Sequence, residues 1–311
     1  MTVVALAGGV GGARLCDGLQ AVLPPGDLTV VVNTGDDTER HGLLVCPDHD
    51  TVLYTLAGIA DPAQGWGIAG ESWTVMERLG ALGEETWFRL GDRDMATHIA
   101  RTARLRAGAR LTEVSLGLQA ALGVPSRILP MSDAPVRTRV LSDDGWLEFQ
   151  DYFVRLRQAP DVRAVSFDGV DAAEPTPEVL AALASAASLV ICPSNPIVSV
   201  GPILAMRGLR DAIRAVRAEG VRTAAVSPIV GGKALKGPAD RMLASLGHEV
   251  SAVGVARLYA GLVDVFVIDA EDAALAPAVE DLGMRALVTD TIMVDAEARA
   301  RVARETLAAL G

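Results

Sequence analysis

The sequence predicts a single α/β domain over residues 1–311, with a Rossmann-like, doubly wound and mainly parallel sheet. Short, continuously apolar runs such as residues 28–32 alternate with helical segments, which is typical of parallel strands buried on both faces. A glycine-rich turn follows the first apolar run and leads into a helix. Half of the 311 residues are hydrophobic, and no repeat or clear linker interrupts them. We therefore expect one unit with a large core.

The first elements are a strand, a turn, a helix and a second strand. Residues 2–7 are β-branched and apolar, and residues 8–12 contain four glycines. Residues 13–23 have helical spacing and stop at a Pro-Pro pair. The second strand, at 28–32, ends abruptly in the polar residues 33–37.

Two insertions are predicted after this start. Between about residues 50 and 125, four segments have helical spacing, with Asp or Thr near their starts and Gly near their ends. Between about residues 136 and 170, two alternating segments flank Asp143-Asp144-Gly145, which predicts a small β-hairpin. The predicted helices span residues 50–60, 71–82, 94–107 and 112–122, and the hairpin strands span 136–141 and 146–154.

Alternation of strands and helices returns in the second half. The apolar runs there are again short and continuous, which favours further parallel strands. The predicted strands are 189–192, 223–226, 264–268 and 286–288, and the predicted helices are 202–218 and 296–310.

Composition excludes several functional classes. The chain has 28 Lys+Arg against 39 Asp+Glu, a formal net charge of −11, which argues against a nucleic-acid partner. No apolar stretch is long enough to span a membrane, and the N-terminus lacks the pattern of a signal peptide. The three cysteines of the chain are far apart and form no CxxC, so neither a disulfide framework nor a zinc site is indicated. We expect a soluble, cytoplasmic protein with no membrane partner.

The glycine turn is the first candidate binding element. Glycines at 8, 9, 11 and 12 allow a ligand to approach the backbone, and the following helix offers unpaired N–H groups to a phosphate. The spacing fits neither GxGxxG nor GxxxxGK[ST]. Phosphate binding is favoured over a tight turn that binds nothing.

Acidic residues after the second strand form a candidate metal site. Asp48 and Asp50 are two apart in a segment predicted to be extended, so both carboxylates would point to one side, toward a hard cation such as Mg²⁺. In the alternative interpretation, Asp50 only caps a helix that begins at Thr51, and Asp48 is solvated. Asp36 and Asp37 are either supporting groups of the metal site or ordinary loop carboxylates.

Three further features are ambiguous from residue chemistry alone. Arg89 and Arg93 flank Gly91-Asp92, and they either bind phosphate oxygens or belong to a solvated helix start. Ser194 and Asn195 lie between prolines after a predicted strand, which suits hydrogen bonds to a nucleoside or a turn alone. Trp66, between two glycines, either stacks on a flat ring or covers the helical insertion. His41 and His98 are interpreted as structural or surface residues.

Seven segments, spread in order over nearly the whole chain, resemble those of the 2-phospho-L-lactate transferase family, which acts in biosynthesis of the deazaflavin coenzyme F(420). They are AGGVGGARL at 7–15, VVNTGDD at 31–37, CPDHDTVLYTLAG at 46–58, RLGDRDMATHIART at 89–102, LPMSDAPVRT at 129–138, PSNPIVSVGPI at 193–203 and SPIVGGKALKGPA at 227–239.

The resemblance implies a Mg²⁺-dependent transferase and a homodimer. Such an enzyme moves a phospholactyl group, or in some bacteria a phosphoenolpyruvyl group, from a guanosine-diphosphate-activated donor to the terminal ribityl hydroxyl of the deazaflavin Fo. GMP leaves. The resemblance does not fix which three-carbon acid the donor carries.

The resemblance also implies roles for the candidate residues. Asp48 and Asp50 would face the metal and the acceptor hydroxyl. From its position in the same acidic segment, Asp36 is expected as a further metal ligand. Asp50 would bind the acceptor or act as its base. The residues that would hold the guanosine diphosphate are Gly8, Gly9, Gly11, Gly12, Asn33, Ser194 and Asn195, and those on the Fo or phosphate side are Asp50, Trp66, Arg89 and Arg93.

Two alternatives stay open at this point. The gluconeogenesis-factor-like proteins share a Gly-rich first turn and an Asp-rich second loop, but they bind nucleotide sugars and act in regulation without catalysis. The segments Pro47–Thr51 and Gly91–Asp94 resemble the transferase family more closely. A nicotinamide-dependent dehydrogenase is the third hypothesis, and the absence of GxGxxG counts against it.

Overall fold

A seven-stranded parallel sheet forms the centre of the structure, a computed structural model that describes residues 2–311. All its strands except one at the edge are buried along most of their length because helices cover both faces, which explains their continuously apolar sequences. In spatial order, the sheet contains β14 (Arg285–Thr289), β13 (Val265–Asp269), β10 (Arg222–Val226), β9 (Ser188–Ile191), β1 (Val3–Ala7), β2 (Leu28–Val32) and β5 (Arg127–Pro130).

The strand order reverses beside β1. From β1 the chain moves outward to β2 and β5, and it then returns to the other side of β1 to form β9 and the strands beyond it. Such a switch point opens a crevice at the carboxyl ends of the two central strands, where ligands of doubly wound sheets bind. The predicted fold class is confirmed.

Helices pack on the sheet in two layers, each with its own apolar cluster. Residues of β1 alternate between the clusters: Val3 and Ala5 contact one, and Val4 and Leu6 contact the other. The first layer contains α1 (Gly9–Val22), α2 (Pro47–Leu56), α5 (Leu111–Ala121) and α12 (Ala296–Ala308), and the second contains α6 (Pro177–Ala184), α8 (Leu209–Ala218), α10 (Ala252–Leu258) and α11 (Ala276–Glu280).

The segment predicted as a helical insertion contains four helices, but two of them, α2 and α5, pack on the sheet. A short antiparallel pair precedes it. The remaining elements of this region are β3 (Thr38–Arg40), β4 (Leu43–Val45), α3 (Thr74–Ala81) and α4 (Asp92–Arg106).

The predicted hairpin is part of a three-stranded antiparallel sheet. Its strands β6 (Arg137–Ser142) and β7 (Gly145–Glu148) pair as expected, and β8 (Ala164–Asp168) adds a third strand on β6. The second strand ends earlier than predicted, because residues 151–155 form a π-helical turn.

Smaller elements surround the carboxyl edge of the central sheet. The helix predicted over 202–218 is interrupted, so that α7 precedes α8 as a separate helix. Within residues 2–311, no helix is both long and apolar enough to cross a bilayer. The remaining elements are α7 (Val200–Ala205), β11 (Ile229–Val230), β12 (Lys233–Ala234) and α9 (Ala239–Ser245).

Candidate functional site

A cavity of about 480 Å³ opens at the switch point of the sheet. The segments that follow β1, β2, β9 and β10 form its base, and loops from the helical and antiparallel regions form its walls. Residues of the predicted site that line the cavity are Gly8, Gly9, Gly11, Asp36, Asp48, Asp50, Trp66, Arg89, Ser194 and Asn195.

The glycine turn packs tightly against the loop after β9. The N–H of Gly8 donates to Ser194 Oγ at 3.0 Å, so the two strand ends are joined at the switch point. A side chain on Gly8 would collide with Asp48, and one on Gly12 would collide with Ser194 Oγ. Most of the turn is the first turn of α1, which begins at Gly9 rather than at residue 13 as predicted. Gly12 supports Ser194 from below and does not line the cavity.

Of the two asparagines predicted at the site, Asn195 lines the cavity and Asn33 does not. Asn195 lines the cavity, and its Oδ1 accepts the N–H groups of Ile197 and Val198 at 2.9 and 3.3 Å, which fixes the turn. Asn33 is fully buried and does not line the cavity. Its Nδ2 donates to Asp48 Oδ2 at 2.9 Å. Asn33 therefore holds Asp48 in place from beneath the site.

Asp36 and Asp48 form a pair of buried carboxylates at the base of the cavity. The backbone N–H of Asp48 donates to Asp36 Oδ2 at 3.1 Å, and Asp36 Oδ1 is buried without a hydrogen-bond partner. Burial raises the pKa of Asp36 well above its ordinary value, and the neighbouring Asp48 adds to the effect. Burial also raises the pKa of Asp48. A cation between these carboxylates would stabilise the charged form of each and offset the unfavourable burial of both charges.

Asp50 points away from this pair. Asp48 and Asp50 lie in the first turn of α2, which begins at Pro47. The prediction that this segment is extended is therefore wrong, and so is the alternative prediction that the helix begins at Thr51. Residues two apart on a helix differ in direction by about 200°. Consequently, Asp48 contacts the glycine turn, whereas Asp50 contacts α4.

Asp50 forms a buried ion pair with Arg101 of α4. Arg101 Nη1 donates to Asp50 Oδ2 at 3.0 Å, and Nη2 donates to Oδ1. Burial alone would raise the pKa of Asp50, but the guanidinium outweighs it, with help from His49 and His98, and holds the pKa well below its ordinary value. Asp50 is thus a fixed negative charge in the cavity wall.

A polar network extends from this ion pair. His98 Nε2 lies 3.2 Å from Asp94 Oδ1, and Tyr54 donates to the same oxygen at 2.6 Å. Asp50, Asp94 and His98 lie close enough to share a metal ion. However, the Arg101 guanidinium already occupies both oxygens of Asp50, so a second cation there is disfavoured. His98 is fully buried within the fold and also lines the cavity.

Aromatic side chains form a wall of the cavity. Trp66 is 42% exposed and lines the cavity, where a flat ring could stack on it. Phe149 and Phe153 stack with ring centroids 5.5 Å apart. Four further aromatic residues of the lining were not predicted from the sequence, because they come from separate segments: Trp87, Phe88, Phe149 and Phe153.

The two predicted arginines differ in position. Arg89 lines the cavity, and its guanidinium lies 4.0 Å from the centroid of the Trp73 ring. Arg93 donates to the carbonyl oxygen of Ala69 at 2.9 Å and does not line the cavity. Two lining cations, Arg14 and Lys236, were not predicted.

Comparison with known proteins identifies the family. The model of the family described as 2-phospho-L-lactate transferase CofD matches residues 3–307. The chain belongs to this family. The phosphoenolpyruvate transferase of Streptomyces griseus subsp. griseus is 45% identical over 313 residues, which cover 99% of this chain and 98% of that protein. The 2-phospho-L-lactate transferase of Methanosarcina mazei is 42% identical over 295 residues, which cover 95% and 96%.

Membership of the 2-phospho-L-lactate transferase family confirms that the protein is a transferase, and the regulatory alternative is not favoured. The fold also occurs in protein BH3568 from Bacillus halodurans. That structure aligns at a TM-score of 0.67 with 16% identity, covering 98% of this chain and 99% of that chain. At such identity the likeness shows the fold alone.

Proposed function

We propose that the protein transfers a phospholactyl or phosphoenolpyruvyl group from a guanosine-diphosphate-activated donor to the terminal ribityl hydroxyl of Fo, with release of GMP, in coenzyme F(420) biosynthesis. The observation that carries this proposal is the arrangement of one cavity. A glycine-rich helix start and two buried carboxylates lie at its base, and aromatic side chains line its wall. The helix start and the carboxylates suit a diphosphate with its metal, and the aromatic side chains suit a flat deazaflavin.

The donor's diphosphate would lie at the N-terminus of α1. The first N–H groups of a helix have no partner within the helix and carry a positive partial charge, so they favour a phosphate. Gly9 and Gly11 leave the backbone of this turn open to the cavity. Ser194 and Asn195, at the end of β9, would position the nucleoside part of the donor.

Mg²⁺ fits the pair Asp36 and Asp48. Asp36 Oδ1 is an unpartnered buried oxygen, and Mg²⁺ prefers one or two carboxylates together with phosphate oxygens. Asp50 fits less well, since Arg101 binds both of its oxygens. When bound, the ion would supply neutralisation of phosphate charge. We therefore propose Asp36 and Asp48 as its ligands and leave Asp50 outside that set.

Asp50 would act on the acceptor. A carboxylate whose pKa is held low is a weak general base, so we propose that Asp50 accepts a hydrogen bond from the acceptor and orients it. The ribityl oxygen would bond to the phosphorus that bears the three-carbon acid. The bond from this phosphorus to the oxygen of GMP would break, GMP would leave with the electron pair, and the hydroxyl proton would pass to water. Such a transfer depends mainly on positioning and charge neutralisation.

Binding of Fo tests the proposal against a nucleotide-binding regulator. We expect the absorbance of Fo to shift on titration with the protein in the presence of GDP and Mg²⁺, because the chromophore enters the aromatic wall. An Fo spectrum that stays unchanged at saturating protein would overturn the proposal.

The proposal includes a homodimer, which rests on the family resemblance, and a cytoplasmic location, which rests on the composition and the N-terminal pattern of the sequence. Sedimentation velocity of the purified protein tests the dimer. A mass near twice 32.4 kDa supports it, and a monomer at micromolar concentration contradicts it.

A further inference from the structure

The segment SPIVGGKALKGPA was singled out by its sequence, yet the proposed function gives its charged residues no role. It contains Lys233 and Lys236, the two lysines of the chain. Lys236 lines the cavity, whereas Lys233 does not. Both are exposed, so the position of their side chains relative to the cavity distinguishes them.

Lys236 bridges the cavity mouth. Its Nζ donates to the carbonyl oxygen of Gln64 at 3.2 Å, on the loop that carries Trp66. Gly65 is enclosed between this ammonium and α1: a Cβ there would lie 2.8 Å from Lys236 Nζ and 3.1 Å from Val10 Cγ1. Val10 belongs to the first turn of α1. The ammonium of Lys236 is therefore separated only by Gly65 from the helix start that is proposed to bind the diphosphate.

The charge of Lys236 is not neutralised by the protein. Within residues 2–311, it forms no ion pair, and its hydrogen bond is to a neutral carbonyl. An ammonium has three N–H donors, so two remain available to a ligand. Because the chain has a net charge of −11, an unpaired cation at this mouth favours an anionic ligand locally.

We infer that Lys236 binds a phosphate oxygen of the donor's diphosphate at the start of α1. This inference rests on the proposed function. The contact with Gln64 would also couple donor binding to the position of the Trp66 loop, so that the donor prepares the aromatic wall for the acceptor.

Amine labelling gives a direct test because the chain has only two lysines. The protein would be acetylated with limiting N-hydroxysuccinimidyl acetate, with and without GDP and Mg²⁺, and the two sites quantified by peptide mass spectrometry. With GDP at about ten times its Kd, the site is free only about one-tenth of the time, so acetylation of Lys236 should slow about tenfold. Lys233 serves as the internal reference and should be labelled at an unchanged rate.

Calorimetry of GDP binding separates the two possible failures. Binding of GDP without protection of Lys236 overturns this inference and leaves the proposed function in place. Absence of GDP binding to the wild-type protein overturns the proposed function together with this inference.

Substitutions provide a second measurement. Lys236→Ala should weaken GDP binding about tenfold, Lys236→Arg should retain most of the affinity, and Lys233→Ala should bind like the wild type. The salt dependence of GDP binding should also become shallower in Lys236→Ala, since one charge contact is lost. Equal GDP affinities and salt slopes for Lys236→Ala and Lys233→Ala would contradict the inference.

Discussion

Asp50 and Arg101 are 51 residues apart in the chain, yet the guanidinium of Arg101 binds both carboxylate oxygens of Asp50 inside the protein. The pair joins α2, which carries the acidic residues of the site, to α4 of the helical insertion. Asp50 also lines the cavity, so this ion pair fixes the position of an ionised carboxylate at the site that is proposed to receive the acceptor.

Replacement of Arg101 tests the structural side of this pair. Arg101→Met should lower the free energy of unfolding by about 3–5 kcal/mol, because it leaves the Asp50 charge buried without a partner. Urea denaturation measures the loss. Arg104→Met, at an exposed position on the same helix, is the matched control and should change stability by no more than about 0.5 kcal/mol. Equal stability of the two variants would contradict the importance of the ion pair.

The proposed metal ligands are tested by magnesium titration. Asp36→Asn and Asp48→Asn should each raise the Mg²⁺ concentration required for half-maximal GDP binding by about tenfold or more, since each removes a charged oxygen ligand. Calorimetry at a series of Mg²⁺ concentrations measures this. Asp37→Asn is the control, because Asp37 is a buried neighbour that does not line the cavity. If all three variants titrate like the wild type, the ion lies elsewhere.

The aromatic wall is tested by comparing two exposed tryptophans. Trp66→Ala should weaken Fo binding about 2- to 12-fold, through the loss of about 0.5–1.5 kcal/mol of stacking. Trp146 is 47% exposed and does not line the cavity, so Trp146→Ala should bind Fo as the wild type does. Fo absorbance titrations distinguish them. Identical affinities would place the deazaflavin away from Trp66.

The pH dependence of stability includes a contribution from Asp264. Burial alone would raise its pKa, but bonds from Arg217 and Thr223 outweigh it and lower the pKa. The lowered pKa means that the stabilisation is present above the unfolded-state pKa of about 3.9 and is lost as the pH falls through the folded-state value. Asp264→Asn should therefore cost about 1–2 kcal/mol near neutral pH, a modest figure because the carboxylate is partly exposed.

Urea denaturation of the wild type and Asp264→Asn from about pH 7 to about pH 3 checks this dependence. The difference between the two proteins should narrow as the pH falls. A difference that stays constant over this range would show that the Asp264 charge does not contribute.

The sheet was predictable because parallel strands that are buried on both faces must be continuously apolar, as in residues 28–32. The helix α2 was predicted, but its start was placed at residue 50 rather than at Pro47. Pro47, with Asp48 and Asp50 in the following turn, is a typical helix start, but the segment was interpreted as extended. As a result, the predicted direction of the Asp50 side chain was wrong.

Other features of the site depend on contacts that no local pattern encodes. Arg101 is buried on the side of α4 that meets Asp50, and its helical spacing alone does not reveal this partner. Likewise, Phe149 and Trp87 lie in separate segments that only the tertiary structure brings to one wall. Lys236 did carry a sequence signal, since both lysines of the chain occur in one short segment.

Transfer itself tests the central claim most directly. The protein would be incubated with Fo, Mg²⁺ and each guanylylated donor separately, and GMP release and product mass would be followed, with Asp48→Asn as the matched variant. We predict stoichiometric GMP release and a gain in the mass of Fo equal to a phospholactyl or phosphoenolpyruvyl group, both strongly reduced in Asp48→Asn. If the wild-type protein forms no product with either donor, the proposed function is wrong.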